Sequence, residues 1–368
     1  MSFYKEVEDL KNFDIEKYIE RITHEDIKKS IEKEKLTRYD FLNILSPKAK
    51  DHIEEMAKVA QKKSIQQFGK IISLYIPIYI SNYCTNECTY CGFNKNNKID
   101  RKHLSLEEIE IEAIEIAKTG IRHILLLTGE AEGLVGIKYI EDAVKILKKY
   151  FDSVVIEIYP LDTNEYERLG KIGVDGLTVY QEVYDEKIYK SVHLGGEKSD
   201  YMWRLETPER GAKAGLRSIG IGPLFGLGNL IKEAYLSGLH VEYLSDKYLN
   251  SEFSISLPRI NEAEGGYKSK YILDDPTFVQ FLLAYRLFLP RAGINISTRE
   301  KAKFRDNLIG LGVTKLSAGS KTNVGAYSDI EKSTPQFEIS DTRSVAETEK
   351  AIRGRGYQVV HKDWELIK

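Results

Sequence analysis

Cysteine is scarce in this chain of 368 residues, and none follows Cys91. The three cysteines present, Cys84, Cys88 and Cys91, fall within eight residues of one another. An odd number of closely spaced cysteines does not suit a disulfide framework, which needs pairs and an oxidising compartment. Their scarcity and clustering therefore favour a metal or iron–sulfur site over covalent cross-links.

Long apolar segments and an excess of charge of either sign are also missing. The longest apolar stretch, residues 71–80, is about half the length that a membrane span requires. Residues 1–6 carry charges where a signal peptide has an apolar segment, so we expect a cytoplasmic protein with no membrane partner. The 54 basic and 56 acidic residues give a net charge of −2, so the composition does not point to a nucleic-acid-binding surface.

From residue 71 onward, short β-rich apolar segments alternate with helical segments, a pattern typical of parallel β/α units. Eight strands are predicted, at 73–80, 123–128, 154–159, 176–181, 218–222, 253–257, 293–297 and 313–317. They favour a single (β/α)8 barrel of the TIM type over two doubly wound domains, which strand number alone does not exclude. We expect active-site residues at the carboxyl ends of these strands, and the cysteine segment directly follows the first strand.

The segments on either side of the predicted barrel are expected to pack against it. Residues 1–70 are charged and helical in periodicity, which predicts a helical N-terminal extension. The barrel is expected over 71–325. Residues 326–368 contain strand-like stretches at 336–340 and 357–360 with a helix between them, which predicts a packed C-terminal α/β tail.

The cysteine spacing is C-x3-C-x2-C, and Tyr90 directly precedes the third cysteine. Three thiolates at this spacing suit an iron–sulfur cluster that leaves its fourth iron open to another ligand. A structural zinc site would need a fourth ligand from a distant residue such as His103. The spacing favours the cluster but leaves zinc as an alternative.

The motif resembles C-x3-C-x-aromatic-C, the defining loop of the radical S-adenosylmethionine (SAM) enzymes. The resemblance implies a [4Fe–4S] cluster on Cys84, Cys88 and Cys91, with SAM chelating the open iron through its amino and carboxylate groups. In that family, an electron from the cluster cleaves SAM to a 5′-deoxyadenosyl radical. The protein's part in such chemistry is to place and shield the cofactor.

Polar residues at the predicted strand ends match SAM contacts of this family. Thr128-Gly129-Glu130 stands where the family commonly has Gly-Gly-Glu, which receives the SAM amino group. The resemblance further implies that Glu182 contacts the ribose, that Arg204 pairs with the SAM carboxylate, and that the backbone near Ile221 lies against adenine. Without the resemblance, such residues also fit turns, surface ion pairs or a buried strand.

Arg299 follows the seventh predicted strand, while Ser317 and Ser320 lie at the end of the eighth. A guanidinium and small hydroxyls at the barrel mouth suit a free amino-acid carboxylate. With these segments the resemblance narrows to the radical SAM aromatic amino-acid lyases, most closely the ThiH-type tyrosine lyases (2-iminoacetate synthases) of thiamine biosynthesis. It covers nearly the whole chain from about residue 35.

This resemblance implies that L-tyrosine is cleaved between Cα and Cβ to 2-iminoacetate and p-cresol. It implies two partners, the thiazole synthase ThiG, which receives the imine, and an electron donor such as flavodoxin or ferredoxin. By analogy with the HydG branch it suggests His240 as a partner of the phenolic hydroxyl, although a helix histidine more often packs in the interior. HydG itself holds a second cluster on C-terminal cysteines, and no cysteine here follows Cys91.

Three alternatives stay open at this point. Tryptophan lyases that make indolic acids share the carboxylate clamp, and deazaflavin-forming synthases also act on tyrosine. A metal-stabilised binding protein without catalysis is the third. The first two would differ from a tyrosine lyase at the phenol end of the pocket, and the third would not cleave SAM.

Overall fold

A closed barrel of eight parallel strands lies at the centre of the computed structural model, which describes residues 2–328 and 333–363. Its strands are β1 (Ile71–Ser81), β2 (His123–Thr128), β3 (Ser153–Glu157), β4 (Val174–Glu182), β5 (Ser218–Pro223), β6 (Glu252–Ser256), β7 (Gly293–Ile296) and β8 (Lys315–Ser317). β8 pairs back with β1, where Leu74 lies opposite Leu316, so the barrel is closed. The predicted (β/α)8 barrel is confirmed, and each predicted strand bound lies within two residues of the observed one.

Helices precede the barrel and surround it. Those before β1 are α1 (Tyr4–Leu10), α2 (Ile15–Arg21), α3 (His24–Glu32), α4 (Arg38–Leu45) and α5 (Ile53–Phe68). Those after it are α6 (Leu106–Ala117), α7 (Ile137–Leu147), α8 (Thr163–Lys171), α9 (Glu186–Val192), α10 (Tyr201–Leu205), α11 (Thr207–Lys213), α12 (Leu230–Lys247), α13 (Asp275–Phe288), α14 (Ala302–Leu308) and α15 (Val345–Gly354). In the described parts of the chain, no helix is long and apolar enough to cross a membrane.

The helices before the barrel pack on its outer layer at α12 and α13. Phe41 of α4 stacks on Phe288 of α13, with ring centroids 4.2 Å apart. Gly238 of α12 leaves room for this ring, because a Cβ there would lie 2.4 Å from Phe41. The buried Gln280 amide donates hydrogen bonds to the carbonyls of Ile44 and Ser46 at 2.9 and 2.8 Å. These contacts fix α4 against the helical layer.

Side chains alternate between the two faces of each strand, so the strand sequence decides what fills the barrel. On β1, Tyr75 and Tyr79 line the interior cavity, whereas Ile76, Ile78 and Ile80 are buried on the opposite face. The outer face of this strand supplies apolar core and the inner face supplies polar groups. The barrel interior therefore carries tyrosine hydroxyl groups near its carboxyl end.

After β8, one segment of the chain lies at the carboxyl end of the barrel and a later segment lies at its amino end. Strand β9 (Gln358–Val360) pairs in parallel with the amino end of β1, where Val359 lies opposite Ile72. The strand predicted at 357–360 and the helix before it are thus confirmed. Of the predicted tail, residues 329–332 and 364–368 lie outside the described residues.

The strand predicted at 336–340 is wrong. This segment crosses the barrel mouth as irregular chain. The amides of Gln336, Glu338 and Ser340 donate to carbonyls of separate loops, namely those of Thr322, Glu262 and Thr298. Because no single strand runs beside it, its alternating sequence forms no ladder.

Candidate active site

The three cysteines lie in the loop that follows β1, at the carboxyl ends of the strands. Backbone hydrogen bonds tie this loop to its surroundings. The Glu87 amide donates to the Gly195 carbonyl, and the Thr85 amide donates to the Glu130 carbonyl, each at 2.9 Å. The Asn94 side chain also donates to the Cys88 carbonyl at 2.9 Å. The loop conformation is therefore set by the protein itself.

The thiols of this loop are free, and they suit a cationic cluster. Cys88 is buried, whereas Cys84 and Cys91 are partly buried. Burial raises the pKa of the Cys84 thiol to about 11 and also raises the pKa of Cys88 and of Cys91. Metal ions deprotonate coordinating thiols, so bound irons would offset this burial. The donor set fits the [4Fe–4S] cluster that the resemblance implies.

The zinc alternative depends on a fourth ligand besides the three cysteines. His103, the candidate fourth ligand, packs against the Tyr139 ring with centroids 4.5 Å apart. His103 is thus held by an aromatic contact.

The end of β2 packs directly on the cysteine loop. A Cβ on Gly129 would lie 2.2 Å from the Tyr83 carbonyl oxygen, so only glycine fits at this position. The Thr128 hydroxyl donates to the Gly129 carbonyl at 2.9 Å. The next residue is Glu130. Its carboxylate accepts hydrogen bonds from the Asn86 side-chain amide at 2.7 Å and from Arg204 Nη1 at 3.0 Å. The structure thus joins Thr128, Gly129 and Glu130 to the loop.

Arg204 lies between two carboxylates. Its Nε donates to the Tyr180 carbonyl at 2.7 Å, and its Nη2 lies 3.9 Å from Glu182 Oε1. Burial opposes the ionisation of Glu130, but Arg204 and Lys198 outweigh it and lower the pKa of that carboxyl. The predicted residues Glu130, Glu182 and Arg204 therefore form one buried charged cluster.

Lys198 is a member of this cluster that sequence reasoning missed. It lies in a short 3-10 turn, Glu197–Ser199, and its Nζ is 2.7 Å from Glu182 Oε1. Nearby carboxylates and thiols raise the pKa of Lys198 despite its burial, so it stays charged. A single lysine in a polar segment carries no signal in the sequence, because its burial arises from tertiary contacts.

Glu182 adopts a backbone conformation that is unusual for a residue other than glycine. Its φ is 70°, and it is the non-glycine residue with positive φ among the described residues. Such a conformation costs about 1–3 kcal/mol and is found most often at functional sites. The strain turns the end of β4 so that Glu182 lines the barrel cavity.

One cavity at the carboxyl end of the barrel joins the cysteine loop to the substrate residues predicted from the sequence. Its wall includes Cys91 and Glu182 together with Arg299, Ser317 and Ser320. Ser317 and Ser320 are buried, and the Ser320 hydroxyl has no hydrogen-bond partner among the described residues. The Ser317 hydroxyl accepts a hydrogen bond from the Thr298 amide at 3.0 Å. The cavity thus offers a free hydroxyl beside a cation.

Arg299 has no described carboxylate partner within ion-pair distance. Its guanidinium stacks on the Phe337 ring at 3.4 Å from the centroid. Its Nη1 makes a long contact of 3.4 Å with the Arg259 carbonyl. Burial lowers the pKa of Arg299, and no neighbour in the cavity neutralises its charge directly. A ligand carboxylate would complete this arrangement.

The segment at 336–337 lines the cavity, a role that sequence reasoning missed because it predicted a strand there. The Gln336 side chain accepts a hydrogen bond from Tyr79 at 2.8 Å, and its Nε2 lies 3.9 Å from Cys91 Sγ. The next residue, Phe337, stacks on Arg299. Adjacent residues therefore contact the cysteine loop and the free cation.

The predicted site residues His240 and Ile221 do not line the cavity. His240 of α12 is stacked on Phe3 at 4.1 Å, and its Nδ1 lies 3.0 Å from the Tyr184 hydroxyl. The prediction that His240 meets a substrate phenol is therefore not supported, because its ring is packed in the helical layer. Ile221 is buried in β5, where it pairs with Val179 of β4.

Two protein-family models match the chain. The model of the radical SAM superfamily matches residues 78–233, and that of the biotin and thiamin synthesis associated domain matches residues 256–358. The first therefore covers the cysteine loop, and the second covers the segment with Arg299.

Individual relatives span nearly the whole chain. The 2-iminoacetate synthase of Escherichia coli (strain K12) is 39% identical over 353 residues, which are 96% of this chain and 94% of that protein. The X-ray structure of the FeFe-hydrogenase maturase HydG from Carboxydothermus hydrogenoformans is 31% identical with a TM-score of 0.85, covering 98% of this chain and 82% of that one. A second HydG crystal structure has a TM-score of 0.86 and 30% identity, with coverage of 98% and 79%.

Proposed function

We propose that this chain, which belongs to the radical SAM superfamily and within it to the 2-iminoacetate synthase family, cleaves L-tyrosine to 2-iminoacetate and p-cresol. The observation that carries the proposal is that Cys91 and Arg299 line the same cavity. Identity of 39% over 96% of the chain with a 2-iminoacetate synthase supports it. The bond broken is the one between Cα and Cβ.

Two groups of residues would hold the cofactors. Cys84, Cys88 and Cys91 provide the three thiolates for a [4Fe–4S] cluster. The neighbouring Glu130 and Arg204 offer a carboxylate beside a guanidinium, which complements the ammonium and carboxylate of SAM. When bound, the cluster and SAM supply the one-electron chemistry that removes a hydrogen atom from the substrate.

Arg299, Ser317 and Ser320 bind the substrate carboxylate in this proposal. The Arg299 guanidinium lies over the Phe337 ring, and its N–H groups could make two parallel hydrogen bonds to a carboxylate. Ser320 has a buried hydroxyl without a described partner, so it would gain a hydrogen bond when the carboxylate enters. These contacts would hold the amino acid in one orientation beside the cysteine loop.

Water exclusion is the second task of the chain, because an imine product hydrolyses readily. Gln336 and Phe337 lie over the cavity and link its two sides through Tyr79 and Arg299. A closed site keeps water from reactive intermediates. The 336–337 segment would therefore protect 2-iminoacetate until its release.

We further propose that 2-iminoacetate passes to the thiazole synthase ThiG, and that a flavodoxin or ferredoxin supplies the electron. The match to the biotin and thiamin synthesis associated domain supports a place in thiamine synthesis. The lability of the imine favours direct transfer over diffusion.

The test is an anaerobic assay of the reconstituted protein with SAM and a strong reductant. L-Tyrosine and L-tryptophan are supplied separately, and 5′-deoxyadenosine, p-cresol and indolic products are quantified by chromatography. We expect p-cresol from tyrosine and no turnover of tryptophan. Cleavage of tryptophan without p-cresol formation would overturn the tyrosine assignment, and the absence of SAM cleavage with either amino acid would overturn the enzyme assignment.

A further inference from the structure

Glu157 is an acidic residue of the cavity that no step described above uses. It is the last residue of β3, is partly buried and lines the same cavity as Glu182 and Arg299. In the described residues we find no hydrogen bond or salt bridge from its carboxyl group. A carboxyl group in this position has its hydrogen-bonding capacity free for a ligand.

The barrel order places Glu157 relative to the other groups. Strand β3, which ends at Glu157, is four strands away from β7, which Arg299 follows, so the two residues belong to opposite sides of the eight-stranded barrel. Strand β4, which carries Glu182, is the direct neighbour of β3. Glu157 is therefore on the Glu182 side of the cavity, facing the cation that would hold the substrate carboxylate.

We propose that Glu157 binds the α-amino group of the amino-acid substrate and accepts one of its protons. The inference deepens the proposed function and rests on it. One N–H bond of the ammonium breaks with its electron pair left on nitrogen, and one O–H bond forms on a carboxylate oxygen of Glu157. No electron is gained or lost in this step, and the substrate nitrogen becomes a neutral amine with an available lone pair.

The position next to Glu182 favours the amino group over the phenol as the partner of Glu157. Glu182 is the residue that would contact the SAM ribose, and SAM when bound would supply the radical chemistry that removes a hydrogen atom from the substrate. In the proposed reaction that hydrogen comes from the amino group. Glu157 and Arg299 line the same cavity, so in this proposal they would bind the amino group and the carboxylate of one amino acid between them.

The electrostatic surroundings suit a proton acceptor. Burial raises the pKa of Glu157 to about 7, and the Glu182 carboxylate adds to this shift. The charged groups that act on Glu157 from the surrounding elements are Glu182, Lys198, Arg204 and Arg299, and the titratable tyrosines beside it are Tyr75, Tyr79 and Tyr180. A base works best when its pKa lies near the operating pH.

The test compares Glu157→Gln with wild type and with the control Glu167→Gln, an exposed residue of α8. Binding is measured for three ligands: L-tyrosine, 3-(4-hydroxyphenyl)propanoate, which lacks the amino group, and L-phenylalanine, which lacks the hydroxyl. We expect Glu157→Gln to lower the binding affinity for tyrosine and for phenylalanine about tenfold or more, because each ligand loses a charge-assisted hydrogen bond. The propanoate should bind as it does to wild type.

Turnover and pH provide a second readout. In wild type, kcat/KM for p-cresol formation should rise with pH through about 7 as Glu157 loses its proton. In Glu157→Gln this rise should be missing and p-cresol formation should fall by about 100-fold or more. Iron content and SAM affinity should match wild type and Glu167→Gln.

Two results would overturn the inference. If Glu157→Gln lowered the affinity for tyrosine but not for phenylalanine, Glu157 would lie at the phenol. If p-cresol formation in Glu157→Gln equalled that of wild type, Glu157 would take no part in the reaction. The failure of the proposed function is distinguishable, because then wild type itself would form no p-cresol.

Discussion

Replacing Arg299 with lysine tests the proposed carboxylate clamp. The guanidinium stacks on Phe337 at 3.4 Å and has no described carboxylate partner, so the substrate should supply one. Lysine keeps the charge but makes only one strong contact to the carboxylate. Loss of one charge-assisted hydrogen bond costs about 1.5–3 kcal/mol, and part of the cation–π contact adds up to about 1 kcal/mol. Tyrosine affinity should therefore fall by roughly 10- to 1000-fold.

The assay measures equilibrium binding of L-tyrosine and, separately, of SAM to the anaerobic, cluster-loaded variant. SAM affinity should stay within about twofold of wild type, since Arg299 lies outside the Glu130–Arg204 cluster. Arg291→Lys is the matched control, because Arg291 is exposed after α13 and should change neither affinity.

Equal losses of tyrosine and SAM affinity in Arg299→Lys would refute the reasoning, because they would place the guanidinium at the cofactor. Tyrosine affinity equal to that of wild type would refute it as well.

Three further predictions concern the cluster, the tail and a buried acid. Cys88→Ala should abolish cluster assembly and SAM cleavage, and a full iron complement in this variant would contradict the ligand assignment. Asp341→Ala should lower the free energy of unfolding in denaturant by about 3–5 kcal/mol, since it strands the fully buried Arg305; a change below about 1 kcal/mol would contradict this. Burial raises the pKa of Glu233 to about 8, so its ionisation costs stability as pH rises from about 4 to 8. Glu233→Gln should therefore gain stability over wild type across that range, by up to about 1.4 kcal/mol per pH unit, and a pH-independent difference would contradict this.

The barrel could be predicted because each strand carries its own local signal. The apolar segment of β2 is bounded by polar residues, and its predicted limits of 123–128 are the observed ones. At β8 the predicted start, Val313, lies two residues before the observed one. The Thr314 amide nevertheless donates to the Ile294 carbonyl, and the Thr314 carbonyl accepts from the Ser73 amide. The disagreement therefore concerns only the residue at which the strand is said to begin.

Features that depend on distant chain segments could not be predicted. Residues 336–340 alternate like a strand, but alternation does not tell whether a partner strand runs beside them. The orientation of His240 depends on Phe3, which lies far away in the sequence and covers its ring. In both cases tertiary packing decides the outcome, and the local pattern carries no information about it.

The site divides in the same way. Cys84, Cys88 and Cys91 could be proposed as cluster ligands from the sequence because they share one short spacing. Lys198 and Glu157 are single charged residues in polar or mixed segments, and only the fold buries them beside Glu182. A buried charge is expensive and therefore informative in a structure, whereas the same residue is unremarkable in a sequence.

The most direct test of the central claim follows the carbon skeleton of tyrosine. The reconstituted protein is given SAM, a reductant and L-tyrosine labelled with carbon-13 at Cα, and the products are quantified by mass spectrometry. The account predicts label in glyoxylate, the hydrolysis product of 2-iminoacetate, with p-cresol and 5′-deoxyadenosine formed in equal amounts. Tyrosine-dependent SAM cleavage that leaves the Cα–Cβ bond intact would contradict it.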